Sequence, residues 1–205
     1  MRSAVTLAVL IAASSLVASC VRTDSNGETA EKSLVAVKPI VSEKEFVTGG
    51  TINIQLDGGA YEVRAAADNH LRVTLNKNIG NAKAELTVDG THADIKVTET
   101  PHRNFEATIE VPATADLVIR LSGGDLVMAP ITGNKDVESN AGNIKIGVGD
   151  PNDYSSVDAS VKAGDLQAGP FGETKSGLMQ HFTWSGHGKY TLRANLGAGN
   201  LVLRK

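Results

Sequence analysis

The sequence predicts an all-β protein, built as a β-solenoid-like stack of short strands, with an antiparallel β-sandwich as the alternative. Three observations lead there. From Phe46 onward apolar residues alternate with polar ones, the mark of strands with one buried face. Clusters of Gly, Asn, Asp and Thr break that alternation at intervals of roughly ten residues. One phrase also returns four times: "LSGGDLVM" at 121–128, "SNAGNIKI" at 139–146, "VKAGDLQA" at 161–168 and "LGAGNLVL" at 196–203. No stretch beyond the first twenty residues carries a helical period.

The chain opens with "MRSAVTLAVLIAASSLVASC". One cation (Arg2), an apolar run from Ala4 to Val17 and small residues at the end make a secretory signal peptide. The run is too short and too rich in serine for a membrane span, which needs ~20 predominantly apolar residues. Its ending, Val17-Ala18-Ser19-Cys20, resembles the bacterial lipobox. The resemblance implies lipid attachment to the Cys20 thiol, cleavage after Ser19 and acylation of the new amino terminus. Several acyl chains, each adding ~0.8 kcal/mol per buried methylene, hold a protein on a membrane where one chain does not. Val21 is not the Asp that resembles an inner-membrane retention signal, so a cell-envelope protein anchored in the outer membrane is expected.

Residues 1–19 are therefore expected to be a signal peptide of the lipoprotein type, and residues 20–45 the lipidated cysteine and a polar tether. Within that tether "SLVAVKPIV" has the makings of a short strand. Residues 46–205 form the β-repeat domain. Its strands are read from Ile52/Ile54/Leu56, Tyr61/Val63, Leu71/Val73/Leu75, Leu86/Val88, Ile95/Val97, Ala107/Ile109/Val111 and Leu117/Ile119/Leu121.

The Gly-Asx phrases admit two geometries. Gly142-Asn143 suits a two-residue hairpin turn with Gly first. The same parity suits an arc that carries the chain from one sheet to another, and the arc is the expectation. Gly124, Gly142, Gly164 and Gly199 are separated by 18, 22 and 35 residues. The first two gaps approach the ~20-residue period of a solenoid coil. The third holds an insertion with an expected aromatic hairpin, Phe182, Trp184 and Tyr190, sealing one end. Looser cousins stand at "LDGGAYEVRA" (56–65) and "VDGTHADIKV" (88–97).

The run "ATIEVPATADLVIRLSGGDLVM", followed by "SNAGNIKI", "VKAGDLQA" and "LGAGNLVL", resembles the bacterial domain of unknown function known as the "putative-adhesin" domain, over roughly residues 50–205. The resemblance implies a cell-envelope β-repeat protein. It carries no catalytic residues over to this chain.

Composition narrows the function classes. The formal charge is −3, which gives no basic footprint for nucleic acid, and with aromatics at 4% stacking platforms for bases are scarce. Asp125, Asn143, Asp165 and Asn200 share one repeat position. They read as turn formers rather than as calcium ligands, since Asx residues tolerate turn backbones and no G-G-x-G-x-D repeat occurs. His70, His92, His102, His181 and His187 lack metal-ligand spacing, although His181 and His187 flank the aromatic segment. No G-x-S-x-G is present, and Ser185-Gly186-His187 sits in a tight turn. No catalytic residue, metal or cofactor is expected. The expectation is a lipid-anchored, non-catalytic envelope protein for adhesion or structural interaction, with envelope proteins or glycans as partners. The alternatives are a carbohydrate-binding module using Trp184 and Tyr190, and a polysaccharide-active enzyme on a β-helix.

Overall fold

Burial, not turn chemistry, organises the domain. The structure, a computed structural model, describes residues 40–205; Cys20, the signal segment and most of the tether lie outside the described residues. The described regular structure is strand throughout, apart from 3-10 turns at Pro151–Asp153 and Gly169–Phe171. The strands are β1 (Ile40–Glu45), β2 (Thr51–Leu56), β3 (Gly59–Ala65), β4 (His70–Lys77), β5 (Lys83–Asp89), β6 (His92–Thr98) and β7 (Glu106–Val111). They continue as β8 (Asp116–Leu121), β9 (Gly124–Met128), β10 (Lys135–Gly147), β11 (Tyr154–Ala168), β12 (Glu173–Ser185) and β13 (Tyr190–Arg204). The residues that alternate in the sequence supply the buried faces, with Ile52, Ile54, Val63, Leu71, Val73, Ile95, Ile109 and Ile119 fully enclosed. The first strand begins at Ile40 and pairs with β4 along its whole length, so the end of the segment read as tether is part of the sheet.

The central strands are stacked in parallel. The first half of β10 pairs with β8 and its second half with β9. In the same way β2 and β3 pair with β8 and β9 on one side and with β6 and β7 on the other. β13 lies parallel to β10, and β11 parallel to β13. This makes six parallel layers, in the order β6/β7, β2/β3, β8/β9, β10, β13, β11. Antiparallel pairing is confined to the ends, where β5 and β4 cover β6 and β7, β1 covers β4, and β12 covers β11.

Each central layer changes direction at one place. The buried residues flanking it are Leu56/Tyr61, Leu121/Leu126, Ser139/Ile144, Val161/Leu166 and Leu196/Leu201. A spacing of five would put the two members on opposite faces of a straight strand. Both nevertheless belong to, or border, one core, so the strand must turn over between them. Glycine makes this possible: Gly124, Gly142, Gly164 and Gly199 have φ between 115° and 136°. Together with Gly59 and Gly177 they stand side by side across six strands, a glycine column at right angles to the chain. At Gly124, Gly142, Gly164 and Gly199 a side chain has no room, and a Cβ on Gly142 would lie 1.7 Å from the carbonyl oxygen of Gly124.

The Gly142-Asn143 hairpin does not occur: both residues lie inside the unbroken β10. The cousin at 56–65 joins the glycine column through Gly59. The cousin at 88–97 does not, since Gly90 sits in the turn of an antiparallel hairpin between β5 and β6. The expected aromatic hairpin is likewise replaced. β12 and β13 lie on opposite sides of β11, and β13 inserts between β10 and β11. The 35-residue gap is thus filled by an outer strand, and the stack leaves sequence order at this point.

At the β12 end Phe171 meets Trp184 (5.0 Å between ring centroids), Phe182 (6.1 Å) and Tyr154 (6.3 Å). The outer strand satisfies some of its own carbonyls: Lys175 Nζ donates to His181 O (2.8 Å) and Gln180 Nε2 to Leu178 O (2.9 Å). Such contacts, with positive φ at Gly177 and Met179, blunt an edge that would otherwise recruit further strands.

Candidate binding groove

The turn-over point creates a surface feature as well as a core. In each of five layers the residue just before the first buried position faces outward: Gln55, Arg120, Glu138, Ser160 and Asn195. The residue just after it, Asp57, Ser122, Asn140, Lys162 or Gly197, is also turned away from the core. Because the layers are in register, these positions line one groove of about 710 Å³ that crosses the strands. Val97 and Thr98 of β6 close one end, so six layers contribute. At ~4.8 Å per layer its length is roughly 24 Å.

The charges in the groove are unevenly satisfied. Arg120 donates to both carboxylate oxygens of Asp136 (3.2 and 3.0 Å), and its Nε is 3.3 Å from Glu138 Oε2. Asp57 accepts the backbone N–H of Glu99 (2.9 Å). Ser160 Oγ donates to Asn195 Oδ1 (2.7 Å), which fixes the orientation of that amide. Lys162 and Arg193 are exposed and form no ion pair within the described residues. The acids beside Arg193 in register are Asp136 and Asp158. The first is held by Arg120 and the second is met by His181 at 3.2 Å.

The residues singled out from sequence fall elsewhere. Trp184, on β12, packs against Phe171 and the core. Tyr190, at the start of β13, is half-buried with Lys189 Nζ 5.3 Å from its ring centre. His181 Nε2 lies 3.2 Å from Asp158 Oδ1. The Asx residues form a ladder in the spatial order Asp125, Asn143, Asn200, Asp165. Asn143 Nδ2 donates to Asp125 Oδ1 and Asn200 Nδ2 to Asn143 Oδ1, each at 2.8 Å. Two amides between two carboxylates avoid the repulsion of like charges directly opposite one another.

Two polar groups missed by motif reading are visible in the parity. Lys135 and Ser139 occupy inward positions of β10 and are buried. Lys135 Nζ donates to Tyr154 Oη (2.8 Å) and to Gly133 O (3.1 Å) and lies 5.1 Å from the Tyr154 ring centre. Tyr154 Oη donates in turn to Val148 O (3.1 Å). Burial lowers the Lys135 pKa to about 8, against the upward pull of Asp116 and Asp153. Burial pushes the Tyr154 and Tyr61 hydroxyls in the other direction, up from their ordinary value. Aligned on their buried residues, the five phrases put these polar side chains at one repeat position, but the order in which the layers stack, and so the groove, comes from the strand pairing.

No known family profile matches the chain, and no curated protein matches its sequence. Among solved structures, the chain is similar to a "putative cell adhesion protein" from Clostridium sporogenes, with 14% identity, a TM-score of 0.49, and coverage of 82% of this chain and 100% of that one. It is also similar to a "putative adhesin" from Bacteroides fragilis, with 10% identity, a TM-score of 0.25, and coverage of 82% and 97%. A third is a "putative lipid binding protein" from Parabacteroides distasonis, with 13% identity, a TM-score of 0.26, and coverage of 53% and 57%.

Proposed function

We propose that the protein is a non-catalytic, lipid-anchored component of the cell envelope, a short β-solenoid-like stack that serves adhesion or structural interaction. Cys20 carries the anchor, and the outer membrane is the favoured location. The observation that carries the interaction reading is the groove spanning six register-locked layers. A long open trough with polar side chains on rigid strands suits an extended partner, whereas small-molecule sites enclose most of their ligand.

Two experiments test the two halves of the reading. Cys20→Ser should lose radiolabelled palmitate and move from the membrane to the soluble fraction; a variant that keeps its label overturns the anchor. For the groove, the purified full chain is immobilised and exposed to isolated envelope material. Ser122→Trp, which fills the middle of the trough from an exposed position, should abolish retention. Unchanged retention removes the groove from the function. Loss through Trp184→Ala instead, with groove variants intact, would favour the carbohydrate-binding alternative at Trp184 and Tyr190. Release of soluble sugars from the material would favour the enzyme.

A further inference from the structure

The groove is not chemically uniform along its length, and the difference points to a ligand class. Toward β2 its charges are engaged: Asp57 is held by a backbone N–H, and Arg120 is held between Asp136 and Glu138. Toward β11 and β13 stand two cations with no acid within ion-pair distance among the described residues, Lys162 and Arg193. In register Arg193 lies beside Asp158, four residues before Lys162 on the same neighbouring strand. At ~3.3 Å per residue along a strand, the two cations are roughly 13 Å apart along the strand direction and one layer apart across it. They occupy opposite lips of the groove. Between them lie Ser160 and Asn195, whose mutual hydrogen bond uses Asn195 Oδ1 and leaves the amide Nδ2 as the donor for a ligand.

We propose that this end of the groove binds an acidic glycan, a chain of sugar rings bearing carboxylates. The inference rests on the reading of the groove as the interaction surface and names its ligand. A cation on each lip holds a carboxylate of the chain, and charge-assisted hydrogen bonds of this kind are about twice as strong as neutral ones. Ser160, Asn195, Gln55 and Asn140 carry the paired donors and acceptors that sugar hydroxyls require. A phosphate polymer fits less well. Nucleic-acid sites combine a continuous basic track with aromatic platforms, and the lining here holds two unpaired cations and no aromatic side chain. Glu138 and Asp57 also repel an anionic chain that extends toward β2, which orients its acidic segment over β11 and β13.

Binding of the full chain to oligogalacturonate is measured by calorimetry, with maltooligosaccharide of the same length as the neutral control and single-stranded DNA as the anionic control. Oligogalacturonate should bind with an affinity that falls as salt rises, and neither control should bind comparably. Lys162→Ala and Arg193→Ala should each weaken binding about tenfold, the worth of one charge-assisted contact. Glu138→Gln, which releases Arg120 from one of its two acids, should strengthen binding severalfold, an effect that disruption of the fold does not produce. Urea midpoints close to wild type confirm that the variants are folded. Equal binding of the neutral sugar, preference for DNA, no binding of oligogalacturonate, or indifference to all three substitutions overturns the proposal. If Ser122→Trp abolishes envelope retention while oligogalacturonate does not bind, the groove stands as the interaction surface and the acidic-glycan assignment alone fails.

Discussion

The glycine column makes a quantitative prediction, because two of its members share a backbone conformation but not an environment. Gly142 has φ 134° and Gly177 has φ 120°, so alanine is strained at both. Holding a non-glycine residue in such a conformation costs about 1–3 kcal/mol. At Gly177 little else is lost, since the nearest atom to an added Cβ is Gln180 Nε2 at 3.4 Å, the end of a flexible side chain. At Gly142 the added Cβ would stand 1.7 Å from Gly124 O and 2.6 Å from Gly124 C, which are backbone atoms of the adjacent layer. Relief requires β9 and β10 to part locally by more than an ångström, beyond hydrogen-bonding distance. Two ladder bonds lost at about 0.5–1.5 kcal/mol each, with their groups left poorly satisfied, add roughly 2–4 kcal/mol. Gly142→Ala should therefore cost about 3–7 kcal/mol and Gly177→Ala about 1–3 kcal/mol. Against a typical domain stability of about 5–15 kcal/mol, the first variant approaches unfolding at room temperature. Urea unfolding followed by far-ultraviolet circular dichroism measures both. Equal losses, within about 0.5 kcal/mol, would show that conformational strain alone accounts for the column and would refute the close-contact argument.

The remaining predictions concern buried and stacked charge. Lys135 has its pKa lowered from 10.5 to about 8 on folding, so between those values the unfolded chain binds more protons and stability rises with pH. Below pH 8 the penalty is fully present at about 3 kcal/mol. Lys135→Met should raise the urea midpoint at pH 7 and flatten the slope between pH 7 and pH 9.5; an unchanged slope would remove Lys135 as its source. Tyr154, whose pKa is raised by burial, acts with the opposite sign above pH 10, so the window stops short of it. Asn143→Asp places a carboxylate directly beside Asp125 and should destabilise by roughly 1 kcal/mol at pH 7, with recovery near pH 4 relative to wild type. A loss that persists at pH 4 would mean that the amide hydrogen bonds matter more than the charge.

The strands and their buried faces were legible because alternation is a local property. Ile52, Ile54 and Leu56 point inward for the same reason as Leu117, Ile119 and Leu121. Parity also placed Lys135 and Ser139 on the inward face, although no motif draws attention to them. By contrast, two similar phrases took different conformations. Asp57-Gly58-Gly59 lies where the chain turns over and continues into the next parallel half-layer, whereas Asp89-Gly90 reverses the chain into a hairpin. Both fit local glycine chemistry, and the choice was made by which strands were available to pair.

By itself, the sequence determined the all-β class, the positions of the strands, and the recurrence of a glycine where the chain reverses its facing. The expectation of a lipid at Cys20 concerns a residue outside the described ones. Only the tertiary structure decided that β13 inserts between β10 and β11, and that Arg193 and Lys162 therefore flank one groove. The physical reason is that side-chain burial encodes facing residue by residue, whereas the backbone groups of every strand edge are alike. Which edges meet is settled by the packing of the whole core, and the groove is a property of that meeting.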